Sequence, residues 1–317
     1  MSDQISKNIL ATIIYYDILD YPLTSFEIWK YLIRSKNKEE RIKQDYNNLV
    51  NLSEIIQKLE SEYIRKYLDE YQGFYFLRGR KELVEQRIER NKISEKKFKI
   101  IRKVCQLIRC VPFVRMIAVT GAVAMKNADR YSDLDLLIAI KGGKIFTGRI
   151  LVTTFVHMLG MRRYGKKITN RVCLNYFITD QSLEISLKDL FSSSEYSFIV
   201  PVFGWECFQE FQRKNEWIRN YRENFQPDEV SSWKIIEDFW FSKSIRKAGE
   251  IILDFNFIEE ILKKFQMERI LKDPRTLKQG SFVAANDKEL IFLPDPQGPG
   301  LYEKFENKLE KILSSLC

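Results

Sequence analysis

Asp133 and Asp135 stand two positions apart in the stretch VTGAVAMKNADRYSDLDLLIAI, residues 119–140, within an otherwise apolar run. Successive strand residues point to opposite faces, so the two aspartates share one face while Leu134 and Leu136 take the other. Their Cα atoms then lie roughly 6–7 Å apart. Like charges in a half-buried setting repel and each loses hydration, so something positive must sit between them. Hard oxygen ligands on one strand face suit Mg²⁺, with Mn²⁺ as the substitute, and such ions complete their shell with phosphate and water. Upstream, Gly121 marks a strand-to-helix turn, where backbone N–H groups can receive phosphate. Phosphate cradle and metal ligands thus come from adjacent strands of one small unit. For Asp-Leu-Asp alone, an edge strand facing water is the competing reading.

A second pattern begins where the aspartate strand ends. Lys141–Arg171 holds eight basic residues and no acidic one, in a chain of 317 residues with a formal charge of +9. A phosphate-bearing partner and a solvated basic face both fit this segment. On the first reading Arg162, Arg163, Lys166 and Lys167 flank the cleft and bring in a polyanionic acceptor, RNA before DNA. His157, the single histidine, falls in an apolar helix and reads as packed or at a helix surface, not catalytic. Among the aromatic residues, Tyr131 and Tyr176 are the candidates for stacking on a base.

The stretch 119–140 resembles the signature of the nucleotidyltransferase superfamily that includes DNA polymerase beta, poly(A) polymerases and antibiotic nucleotidyltransferases. That signature is an apolar strand, Gly followed by Ser or Gly, roughly ten residues, then Asp-x-Asp on a strand. Gly121 matches the first glycine, Asp133 and Asp135 match the metal-binding pair, and Ser132 precedes them as in the small bacterial members. The resemblance covers about residues 112–180. It implies a mixed sheet with helices and the Mg²⁺-dependent transfer of a nucleoside monophosphate from a nucleoside triphosphate such as ATP. The acceptor would be an RNA, protein or small-molecule hydroxyl, and pyrophosphate would leave. Two positions depart from the pattern. Ala122 stands where Ser or Gly helps bind phosphate. Asn175 stands on the later strand that should supply a third carboxylate, with Asp180 and Glu184 as substitutes beyond it. An amide cannot act as a base near neutral pH. A catalytically silent sensor of nucleotide or nucleic acid is therefore the alternative to an enzyme, and a scaffold is a third reading.

The elements that must position these residues fall into three blocks, and an α+β fold is expected. In block 1–80, Ile9, Leu10, Ile13, Ile14 and Ile18 form a helical stripe that Pro22 stops. Thr24–Glu27 has capping-box form. A third helix at Leu52–Ser61 and a hairpin within Tyr63–Leu77, turning at Gln72–Gly73, complete a winged-helix-like domain. Its third helix carries Glu54, Lys58 and Glu60, with Glu62 just beyond, which suits protein contact or packing on the next domain better than a phosphate groove. Block 81–225 opens with a charged helix, Lys81–Ile108. Strands at Val114–Val119, Leu134–Ile140 and Arg171–Thr179 follow, with helices at Ala122–Asn127, Phe146–Leu159 and Lys214–Phe225. This is the nucleotidyltransferase-like domain, its sheet covered on one side. Block 226–317 reads as helices at Trp233–Leu253, Ile258–Leu271 and Tyr302–Leu313, a hairpin at Ser281–Leu293 and a loop at Leu293–Gly300.

At 45% hydrophobic and 13% aromatic residues the chain can bury sizeable cores, which excludes disorder. Five cysteines without a CxxC pair suit reduced thiols in a cytoplasm. Asp3 and Lys7 interrupt the start before a signal peptide forms, and Ile145–Met161 is short and charged for a bilayer span. A cytoplasmic protein without a membrane partner is expected.

Overall fold

The structure is a computed structural model that describes residues 2–34, 49–227 and 232–314. Among the described residues it is α+β, with twelve α-helices and nine strands. No described helix is long and apolar enough to cross a membrane. Cys105, Cys110, Cys173 and Cys207 are free thiols, and Cys317 lies outside the described residues.

The first unit comprises α1 (Ser2–Ile18), β1 (Leu23–Thr24), α2 (Ser25–Lys30), α3 (Leu52–Leu59), α4 (Glu62–Arg65), β2 (Leu68–Tyr71) and β3 (Phe74–Leu77). Its sheet has the antiparallel order β1-β3-β2. Thr24 and Glu27 form the expected capping box at the start of α2. From Asn8 to Asp17 helix α1 is buried on every side, polar Asn8, Thr12 and Asp17 included, and Tyr15 and Tyr16 are covered along with Ile9, Leu10, Ile13 and Ile14. Tyr63–Arg65 is helical rather than extended: the Ser61 hydroxyl accepts from the Ile64 amide and starts a turn there.

Helix α5 (Glu82–Ile108) leads into β4 (Val114–Val119), the single turn α6 (Gly121–Ala124), β5 (Leu134–Ile140), α7 (Ile145–Met158) and β6 (Val172–Thr179). Then come α8 (Leu190–Ser197), β7 (Val200–Phe203), α9 (Trp205–Lys214), α10 (Trp240–Leu253), α11 (Asn256–Lys272), β8 (Phe282–Ala285), β9 (Glu289–Leu293) and α12 (Gln297–Ser314). One six-stranded sheet in the order β7-β4-β5-β6-β9-β8 organises them. Only β5 and β6 are parallel, so the end of β4 and the starts of β5 and β6 meet on one rim. The Val119–Val200 pair brings the start of β7, and the end of α8 before it, to that rim as well. The β8–β9 hairpin of the third block completes the sheet through β9 on β6.

Several sequence expectations change here, each for a physical reason. The sheet is covered on both sides. Ile117, Leu136, Ile138 and Phe177 face the large core shared with α1 and α5, while Met116, Leu137, Ala139 and Ile178 face Phe208 and Phe211 of α9. Lys214–Phe225 is not a helix, and only Glu216–Asn220 makes a 3₁₀ turn. Buried Asn215 interrupts it: its amide donates to the Phe211 and Leu183 carbonyls, and its oxygen accepts from the Ile185 amide. The helix expected from Trp233 starts at Trp240, since the Ile236 amide donates to Val202 at 2.7 Å and holds that stretch against β7. Gln297–Gly300 is helical, with Pro299 in the first turn where no N–H is needed. Helix α6 stops after Ala124 because Lys126 takes φ +59°, and Asn127 donates to the Ala122 carbonyl in a Schellman close.

The first unit is bound tightly to the rest. Tyr16 Oη meets Ser194 Oγ at 3.1 Å, fully buried Arg222 donates to the Tyr31 carbonyl, and Arg87 pairs with Glu27 at 2.7 Å. The first of these holds α8 against α1, which matters for the site below.

Candidate functional site

The rim where β4, β5, β6 and α8 converge gathers the expected aspartate pair together with ionisable groups that the sequence did not point to. Asp133, just ahead of β5, and Asp135, within it, bring their carboxylates together with the Cys173 thiol of β6, all ligand atoms lying within 4.8 Å of one another. The positive partner that the sequence demands is Arg163. Its guanidinium donates to Asp133 Oδ2 at 2.5 Å and to Cys173 Sγ at 3.5 Å.

Gly121 sits where its lack of a side chain is needed twice. Its φ is +63°, and a Cβ there would stand 2.5 Å from Asp135 Oδ2. The glycine turn and the second aspartate are therefore packed face to face. Gly121→Ala is expected to cost about 1–3 kcal/mol of stability and to displace the Asp135 carboxylate. Thermal melting together with a Mn²⁺ titration checks this, and a variant with native stability and cation affinity would refute it.

Glu195 of α8 adds a third carboxylate to the same rim. Thr120 and Gly121 beside it favour its charged form, yet burial pushes its carboxyl up to about 7. Asp135 is raised as well, first by burial, then by the Asp133 charge and by Glu195, while the Cys173 thiol and Arg163 pull the other way. Burial, with Asp135 and Asp133 behind it, holds the Cys173 thiol well above its ordinary range, so the sulfur stays protonated. Three carboxylates against one guanidinium leave the rim short of positive charge.

The loop before β5 is braced from below. Asp129 Oδ1 accepts from the Tyr131 and Ser132 amides and from the Ser132 hydroxyl, a local Asx turn. Buried Lys97 of α5 donates to the Arg130 and Ser132 carbonyls and to Asn170 Oδ1, at 2.7–3.2 Å. Ser132 therefore shapes the approach to Asp133, and its hydroxyl is bonded to Asp129. Ala122 is half-buried and packs against the large core.

The later-strand expectations divide. Asp135 pairs with Cys173, and the next pair is Leu137 with Tyr176, so β6 carries an extra residue around Leu174 and Asn175. Cys173, not Asn175, therefore stands level with Asp135. Asp180 lies at the far end of β6, about 20 Å of strand from Cys173, where it accepts from the Gly142 amide. Glu184 pairs with Lys188. Neither belongs to the rim. Tyr176 is 7% exposed within the second core, unsuited to stacking, whereas Tyr131 is 76% exposed beside the aspartates. His157 is exposed and faces the Tyr164 ring.

The basic segment also divides. Lys141 and Lys144 pair with Asp254, and Arg149 donates to Gln266. Arg162, Arg163, Lys166 and Lys167 lie on the loop from α7 to β6, next to the aspartates through the Arg162–Val172 bridge. Cys173 could have been found by counting both parallel strands from their first residues. Glu195 and Lys97 left no sequence signal, since both come from helices whose facing depends on distant packing.

Comparison with known proteins identifies no relative: no protein-family model, no curated protein and no solved structure matches the chain.

Proposed function

We propose that this chain is a nucleotidyltransferase that moves a nucleoside monophosphate from a Mg²⁺-bound nucleoside triphosphate to a polyanionic acceptor, with RNA the first choice. The observation that carries the reading is the seat of Asp135 against Gly121, a glycine turn and an aspartate pair on adjacent strands of one rim. Asp133 and Asp135 are the residues that would hold the cation. The donor set fits, because two hard carboxylate oxygens lie within 4.8 Å of one another and the neighbouring thiol is protonated. Bound Mg²⁺ or Mn²⁺ would neutralise triphosphate charge and polarise the α-phosphate. In the transfer, an acceptor oxygen bonds to the α-phosphorus, the bond to the bridging β-phosphate oxygen breaks, and pyrophosphate leaves. Glu195, raised to about 7, is the carboxylate positioned to take the acceptor's proton. Arg163 offers the planar donor fork that suits phosphate.

The six-stranded sheet is proposed as a nucleotidyltransferase-type domain on the same grounds. Among the described residues, the order α1-β1-α2-α3-α4-β2-β3 with sheet order β1-β3-β2 supports a winged-helix reading of the first unit. Its α3 exposes Glu54, and Glu60 is exposed at the helix end, which favours a protein partner over DNA.

A silent nucleotide sensor is the second reading, favoured by Cys173 occupying the β6 position level with Asp135. Incubation with each α-labelled triphosphate, Mg²⁺ or Mn²⁺, and an RNA pool separates the two. Label incorporation supports transfer; binding without incorporation supports sensing; no binding overturns both.

The acceptor makes a separate prediction. Replacing Arg162, Lys166 and Lys167 with Ser is expected to weaken RNA binding and to lower the slope of log K against log salt by about 2. An unchanged slope would assign these charges to a solvated loop.

A further inference from the structure

Helix α10 is turned the wrong way round for a surface helix of a monomer. Apart from Leu253 at its last position, the side that meets the protein is polar or small: Ser242 donates to Asp238, Arg246 to the Arg109 carbonyl, Gly249 lies against Pro112, and Glu250 pairs with Arg115. Its apolar residues face outward instead, with Trp240 77%, Phe241 60%, Ile245 42%, Ile251 69% and Ile252 68% exposed. A globular surface helix ordinarily does the reverse. With 3.6 residues per turn, the arc from Trp240 to Ile252 contains no charge, and Lys243 and Lys247 lie outside it.

We infer that this outward face is the two-fold interface of a homodimer, with α10 packed antiparallel on α10 of a second copy. Two observations name the occupant. The first is spacing: Phe241, Ile245, Ala248 and Ile252 recur at intervals of four, three and four, a pattern unchanged when the helix is reversed. One antiparallel register therefore sets position 241 of one copy against 252 of the other, and 245 against 248. Self-complementarity of this kind is what a two-fold contact requires. The second is area. These side chains, with Phe255 at 51% exposure at the corner into α11, present on the order of 800 Å² of apolar surface, about one partner's share of a standard stable interface.

Sedimentation velocity of the full chain at micromolar concentration tests the inference, and a species of twice the chain mass is expected. Phe241→Lys and Ile252→Glu, each alone, should weaken the dimer by ~10²-fold or more, since each buries an unpaired charge. Mixed in equal amounts, the two variants should form a heterodimer, because the register sets the lysine against the glutamate. Both positions are exposed, and far-UV circular dichroism checks that the variants fold. Ile245→Glu, near the axis, is an independent breaker. A monomeric wild type overturns the inference, including one that floats with anionic vesicles, which would assign the face to lipid. So would variants that stay dimeric, or a mixture that stays monomeric.

Discussion

Asp135→Asn is expected to weaken divalent-cation-dependent triphosphate binding by ~10²-fold or more, given that even outer-shell substitutions at metal sites cost ~10–100-fold. In chelator, the same variant is expected to melt at the wild-type temperature or above it. The opposite signs follow from the cluster. Asp135 lies within reach of Asp133 and Cys173, and burial together with Asp133 and Glu195 disfavours its charge. A neutral amide removes that repulsion in the cation-free protein, and removes one of two hard ligands when a cation is offered. Calorimetric titration with Mn²⁺ and a nonhydrolysable triphosphate, paired with melting curves in chelator, measures both. A variant that binds as tightly as wild type, or that melts far below it, would make Asp135 a structural residue.

Glu195 is expected to contribute ~2–3 kcal/mol to a fall in the stability of the cation-free chain between pH 5 and pH 8, and Glu195→Gln is expected to remove that share. Burial raises the Glu195 carboxyl from its ordinary 4.5 to about 7. The folded state thus keeps a proton that the unfolded chain has already released. Stability is full below the unfolded value, erodes as pH climbs toward 7, and stays reduced above it. Asp135 shifts in the same direction and adds to the slope. Saturating Mn²⁺ should restore stability at pH 8, because a bound cation favours the ionised cluster. Urea unfolding at the two pH values, with and without cation, provides the comparison. An undiminished fall in Glu195→Gln would place its source in another group.

These expectations rest on features with different visibility in the sequence. Asp133 and Asp135 could be paired from spacing alone, because strand alternation is a local rule that tertiary packing rarely overrides. The bounds of β4 and β5 followed from apolar runs between turn residues, and the start of α2 from Thr24 and Glu27, whose hydrogen bonds close within three residues. The α+β class followed from the same short-range periodicities.

What the neighbours of the aspartates would be was decided elsewhere. A bulge of one residue in β6 puts Cys173, rather than Asn175, beside Asp135, and the parallel direction of β6 carries Asp180 to the opposite end of the sheet. Glu195 reaches the rim because β7 pairs with the end of β4 and α1 holds α8 in place. Arg163 turns inward from a run of positive charges whose other members pair elsewhere or line the loop. Helix α10, amphipathic in sequence, is pinned by its polar side. By itself the sequence determined the aspartate pair and the elements around it, β4, β5, α7 and β6, since those depend on backbone period and contacts a few residues apart, whereas α8, β7 and α9 were not expected from it. The tertiary structure alone decided the third carboxylate, the thiol and the inward arginine, because register, strand direction and helix facing come from pairings tens of residues apart.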